Sequence, residues 1–198
     1  MAGPPAQLAM PPAKQPLRIL HLTTRLDGYG GASMLRSLAV SQAAAGERVV
    51  VAPLLAEKLP LHALRDLGVT VQALGGRWPI DVIALARLAR LRRQLAADVT
   101  HAWDMRTLAQ AALSGRRRPE HVLIGSLLAL GDATRWTERV LRSIHARVTA
   151  FTVPEEAARE RLTQLGVAAN RIHVIPPGVS RRGAGEATPA RAALLKEL

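Results

Sequence analysis

Leu17-Arg18-Ile19-Leu20-His21-Leu22-Thr23-Thr24-Arg25-Leu26-Asp27-Gly28-Tyr29-Gly30-Gly31-Ala32-Ser33 decides the fold. A short apolar run leads into a glycine loop, and Leu35, Leu38 and Ala39 then recur at the spacing of a helix packed on a sheet. Gly28, Gly30 and Gly31 let the backbone turn sharply and expose its amides. The unpaired N–H groups and positive dipole at a helix start suit a phosphate. This stretch therefore reads as strand, loop and helix, with a ligand site at the join.

Working outward, the same alternation repeats along the chain. Short apolar strands are expected at Arg48–Pro53, Val69–Leu74, Asp98–Trp103, His121–Leu127, Arg147–Val153 and Arg171–Ile175. Helices are expected over 54–67, 80–96, 105–113, 134–145 and 154–165, with Gly46, Gly68 and Gly166 as stops. On the long helix, Val82, Leu85, Leu88, Leu91 and Leu95 fall on or near one stripe. Such alternation specifies an α/β fold: a doubly wound, Rossmann-like parallel sheet with helices on both faces, in a single domain. Residues 1–16 read as a disordered proline-rich leader, 17–180 as the domain, and 181–198 as a linker and the start of a helix.

Composition narrows the chemistry. The chain has 198 residues, 48% of them hydrophobic, enough for one sizeable core. No cysteine is present, which excludes disulfides and thiolate metal sites. No run reaches the roughly 18–20 apolar residues of a membrane span. The net charge of +12 raises nucleic acid as a partner, but only 3% of residues are aromatic, too few for a base-stacking platform. Nucleic acid is not expected. The arginines at helical spacing, such as Arg87, Arg90, Arg92 and Arg93, read as a solvated face, with contact to an anionic membrane as the alternative. A cytoplasmic location is expected, with peripheral association at the inner face of the membrane.

Ligands on a doubly wound sheet bind beyond the carboxyl ends of the strands. That edge should gather Gly30, Gly31, Ser33, Trp103, Asp104 and Ser126, the expected substrate-binding residues. Each also has an ordinary structural explanation: a packing turn for the glycines, a helix N-cap for Asp104, a packing role for Trp103. His101 is expected as a satisfied, half-buried side chain and His21 as structural. Metal-ligand spacing is absent among the histidines, as are D-x-D, G-x4-G-K and G-x-S-x-G. Gly28-x-Gly30-x-x-Ser33 is one residue short of a dinucleotide fingerprint, and Ala52-Pro53-Leu54 offers no acid for a ribose. No catalytic residue can be named.

Three motifs, in order, resemble family-4 glycosyltransferases of the GT-B fold. They are Ile19 through Gly31-Ala32 to Gly46-Glu47-Arg48-Val49-Val50-Val51, then Asp98-Val99-Thr100-His101-Ala102-Trp103, then Arg161-Leu162…Gly166-Val167…Arg171-Ile172-His173-Val174-Ile175-Pro176-Pro177-Gly178-Val179. The resemblance covers about 17–180 and implies an N-terminal, acceptor-side domain facing a second, donor-binding domain that would begin where this chain ends. It implies a nucleotide sugar as substrate, no separate cofactor and no metal, a glycan or lipid-linked acceptor, and a separate second half as partner. Ser33 stands where the family often has Glu, Ser126 where it commonly has His, and Pro177 where Asn is usual. The family's paired glutamates in E-x7-E do not occur. The expectation is thus half of a sugar-transferring enzyme, inactive alone. A non-catalytic binding module is the alternative, and an NAD(P)-dependent oxidoreductase a more distant one.

Overall fold

The computed structural model describes residues 15–26, 31–55, 62–76, 81–114, 120–128 and 134–178. Seven strands alternate with helices in chain order. They are β1 (Arg18–Thr23), α1 (Gly31–Ala44), β2 (Arg48–Pro53), α2 (His62–Arg65), β3 (Thr70–Val71), α3 (Val82–Leu95) and β4 (Val99–Ala102), followed by α4 (Met105–Leu113), β5 (Val122–Ser126), α5 (Arg135–Ile144), β6 (Ala150–Val153), α6 (Glu156–Gln164) and β7 (Ile172–Val174). The strands form one parallel sheet in the order β3-β2-β1-β4-β5-β6-β7. The order reverses at β1, so the crevice between β1 and β4 is the topological switch point.

The strands read as near-continuous apolar runs because both of their faces are covered near the centre of the sheet. On one face Leu35 and Ala39 of α1, with Leu64 of α2, pack on Val49, Val51, Val71 and Trp103. On the other, Leu88 of α3, Leu108 and Ala111 of α4, Leu141 of α5 and Leu162 of α6 close over Leu20, Leu22, Ala52, Leu123 and Phe151. Gly125 is required where α4 crosses β5: a Cβ there would sit 2.8 Å from Leu108 Cδ2.

Polar side chains set the ends of the elements. The Asp81 carboxylate accepts from the amides of Ile83 and Ala84 and starts α3. Ala96 ends it with φ of 46°, the left-handed conformation that glycine usually takes. At the amino edge of the sheet, Arg18 grips Asp98 through Nε at 3.0 Å and Nη2 at 2.6 Å, tying the start of β1 to the start of β4.

Three expectations are corrected. The helix expected over 54–67 is, among the described residues, only α2. Leu54 and Leu55 instead extend the β2 ladder, their amides donating to Thr23 and Thr24 carbonyls, because Leu54 is fully buried. Val82 lies off the apolar stripe of α3 and is 73% exposed. Arg92 is not on a solvated face: it turns inward, and its Nη1 donates to Ala111 O at 2.9 Å and Ser114 Oγ at 2.7 Å, stapling α3 to the end of α4. The leader up to residue 14 and the segment from 179 onward lie outside the described residues.

Candidate functional site

At the carboxyl edge, β4 through β7 and one side of α1 enclose a crevice of about 550 Å³. Met34, Leu38 and Leu128 form one wall, and Ile175 and Pro176 the other. Its floor is polar. His101, on β4, points to the same face as Trp103 because side chains alternate along a strand. The β5–β6 register sets Ser126 beside Thr152. Ser126 Oγ lies 2.6 Å from His101 Nε2 and 2.5 Å from Thr152 Oγ1, so three side chains from three strands form one chain of hydrogen bonds.

Behind this floor the aromatic groups support one another. The Trp103 indole N–H donates to His21 Nδ1 at 3.1 Å, and His21 Nε2 meets Gln42 Oε1 at 2.7 Å. The rings of His101 and Trp103 stack with centroids 4.6 Å apart. Burial disfavours the charged imidazolium, and His21 lies close, so the pKa of His101 is pushed down to about 3. Burial also lowers that of His21, against the pull of Gln42. Both rings are therefore neutral near pH 7. What the floor offers is directed hydrogen bonding.

The six expected site residues divide. Trp103 and Ser126 both line the crevice. Gly31 is the first residue of α1, and a Cβ on it would stand 3.0 Å from Leu128 Cδ1, a close approach that the Leu128 side chain would have to yield to. Ser33 is exposed on α1 and is not among the residues lining the crevice. Asp104 caps α4 through Thr107 N at 2.9 Å and also takes Thr24 N at 2.6 Å and Thr24 Oγ1 at 2.9 Å, locking the end of β1 to the end of β4. Gly30, with Asp27, Gly28 and Tyr29, lies outside the described residues. Thr152 and Met34 went unnoticed in the sequence, and Leu38, read there only as packing on the sheet, also lines the crevice. Met34 and Leu38 stand at ordinary helical spacing, and Thr152 meets Ser126 only through strand pairing 26 residues apart.

Among the described residues no group of three or more His, Cys, Asp or Glu side chains could hold a metal ion. None of their helices is long and apolar enough to cross a membrane.

A seven-stranded parallel sheet with its switch point beside a polar-floored crevice defines the class: a doubly wound, Rossmann-like α/β domain with a ligand-sized crevice at its carboxyl edge. The sequence model described as Glycosyltransferase Family 4 matches residues 29–182, more than half of the chain, and the chain belongs to that family. Among solved structures it is similar to Anabaena Alr3699/HepE in complex with UDP-glucose, at 16% identity and TM-score 0.69, over 90% of this chain and 48% of that one. A glycosyltransferase from Rickettsia africae ESF-5 is similar at 13% identity and TM-score 0.67, over 92% of this chain and 49% of that one. The lipopolysaccharide outer core galactosyltransferase WaaB, in its apo form, matches at 11% identity and TM-score 0.65, over 83% of this chain and 47% of that one. The chain thus spans about half the length of these structures. No curated protein matches its sequence.

Proposed function

We propose that this chain is the N-terminal, acceptor-side half of a glycosyltransferase that moves a sugar from a nucleotide-sugar donor to an acceptor. The observation that carries the reading is the crevice beside the switch point: none of its described lining residues is Asp, Glu, Lys or Arg, and its floor presents hydroxyls. That suits a neutral hydroxylated molecule and not a diphosphate. Family membership and the half-length match to structures holding UDP or UDP-glucose support the sugar-nucleotide chemistry. The donor half lies outside these residues, in continuing chain or in a separate partner. The Gly31 amide, at the start of α1, is assigned to donor phosphate together with Gly30, which lies outside the described residues; Ser33 and Asp104 are assigned to the same site, and Trp103 and Ser126 to the acceptor side. No metal and no cofactor beyond the donor substrate is required.

The chain alone turns over no donor. Release of nucleotide from a panel of nucleotide sugars, measured with the purified 198-residue chain and again with the chain joined to a family donor domain, tests this. Transfer only by the completed protein is expected, and equal transfer by the chain alone overturns it. A complete lack of transfer in both favours a non-catalytic binding module. That second reading has its own support, since both Asp104 oxygens are already engaged within the fold.

The proposal places the protein in the cytoplasm, at the inner face of the membrane. Arg90 and Arg93 on α3 are exposed, as are Val82 and Ile83 at its start, at 73% and 63%. Cosedimentation with vesicles containing anionic lipid should fall in an Arg90→Glu/Arg93→Glu variant. Equal binding to neutral vesicles contradicts it.

A further inference from the structure

The crevice is polar at one end and apolar at the other. Its floor, His101–Ser126–Thr152, is buried at Ser126, 3% exposed, and at His101, 9% exposed. The chain of hydrogen bonds ends at Thr152 Oγ1, on the crevice lining. A hydroxyl has one proton and two lone pairs, so Thr152 keeps capacity for a further partner after meeting Ser126. Away from that floor the lining changes. Met34 and Leu38 on α1, Leu128 after β5, and Ile175 and Pro176 after β7 present methyl, thioether and ring carbons. Ile175 is 54% exposed, an apolar side chain held open to solvent at the rim.

Electrostatics sharpen the point. In a protein of net charge +12, the described residues lining the crevice include no arginine, lysine, aspartate or glutamate. The one ionisable group among the described lining residues, His101, is neutral near pH 7 because it is buried. An anionic ligand placed there would lose hydration and gain no counter-charge. Phosphate and carboxylate are therefore disfavoured, while an uncharged molecule with hydroxyls at one end and carbon surface at the other satisfies both ends. The size agrees, since about 550 Å³ lies within the usual range of small-molecule sites.

We propose that this crevice selects a neutral, amphipathic glycoside acceptor: the sugar hydroxyls meet Thr152 and Ser126, and an alkyl or aryl aglycone lies along Leu38, Met34 and Ile175. This rests on the acceptor-side reading and adds to it the chemical class of the acceptor. An acceptor of this class joins its sugar directly to a carbon chain or ring, with no phosphate near the sugar. The apolar wall supplies affinity through carbon surface removed from water, and the floor supplies orientation through hydrogen bonds. Methyl glycosides and free alcohols each satisfy one end only.

The test is an amide-resolved NMR titration of the isotope-labelled 198-residue chain with hexyl β-D-glucopyranoside, methyl β-D-glucopyranoside, hexanol and UDP. Hexyl glucoside should shift the amides of Leu38, Ser126, Thr152 and Ile175 saturably. It should bind at least about tenfold more tightly than methyl glucoside or hexanol, whereas UDP should leave those four amides unmoved. Thr152→Val, which keeps shape and removes the hydroxyl, should weaken hexyl glucoside about five- to tenfold. Ile175→Ser, at an exposed position that the fold tolerates, should erase most of the advantage of hexyl over methyl. Equal affinity for the two glucosides, shifts elsewhere, or indifference to both substitutions overturns the proposal. Failure here is separable from failure of the broader reading. If the completed protein transfers sugar to methyl and hexyl glucosides alike while this crevice stays silent, the acceptor half stands and this assignment falls. If hexyl glucoside binds here and the completed protein transfers nothing, the assignment stands and the transferase reading falls.

Discussion

Asp98 shows how a single contact sets a pH limit on this fold. Its hydrogen bonds with the Arg18 side chain and amide hold its pKa at about 2, below the ordinary 3.8. The folded-state value is thus below the unfolded one, so the pair contributes fully above about pH 4 and its contribution is lost as pH falls toward 2. Both side chains are about one-third exposed, so solvent screens the pair and the effect is modest. Asp98→Asn should lower the melting temperature slightly at pH 7 and flatten the loss of stability between pH 4 and 2. Parallel acid limbs for the two proteins would contradict it. Ala96 invites the opposite change. It holds φ of 46° at the end of α3, a conformation that costs a residue with a Cβ about 1 kcal/mol. Part of that gain is lost to the greater freedom of glycine in the unfolded chain. Ala96→Gly should therefore stabilise by roughly 0.5 kcal/mol, read as a small rise in thermal midpoint; a fall would show the site is strained for another reason.

At the scale of elements, the sequence was most legible where pattern and packing agree. Short apolar runs bounded by glycine gave the strands, and caps such as Gly46, Asp104 and Gly166 gave helix limits, because those signals are local. The reading failed where a distant partner decides. Leu54 and Leu55 have helix-forming side chains, yet their amides join the β1 side of the sheet. Arg92 sits on a basic run, yet the open carbonyls at the end of α4 draw it inward. Both depend on tertiary neighbours that spacing does not reveal. The α4–β5 contact is the most sensitive join. Gly125→Ala would drive a methyl against Leu108, with Phe151 Cδ1 a further 3.4 Å from it, and should destabilise by about 1–3 kcal/mol in a thermal or denaturant melt. An unchanged midpoint would mean α4 gives way freely. Gln110, also on α4, is buried with neither amide atom paired among the described residues. Gln110→Met keeps the length and removes both polar atoms, and should raise stability by about 1–2 kcal/mol in the same melts. A loss would indicate a polar partner for Gln110.

For the whole molecule, the sheet order follows from the alternation of elements, and the site at the carboxyl edge follows from the sheet order. The place of Trp103 and Ser126 on the crevice lining was legible in the sequence because both lie at strand ends on that edge. That of Thr152 was not, because its pairing with Ser126 needs the β5–β6 register. The glycine loop marked the family, while the hydroxyl floor is built by side chains of β5 and β6. The proposed division of labour, acceptor on this half and donor on the other, rests on a crevice with no charged side chain among its described lining residues and on the half-length match to structures holding UDP or UDP-glucose. The most direct test is calorimetric titration of the purified 198-residue chain with UDP-glucose and the other common nucleotide sugars. The account predicts no binding tighter than about 1 mM, roughly −4 kcal/mol, because the proposal assigns firm holding of the donor to the second domain. A micromolar dissociation constant for any of these donors would contradict it.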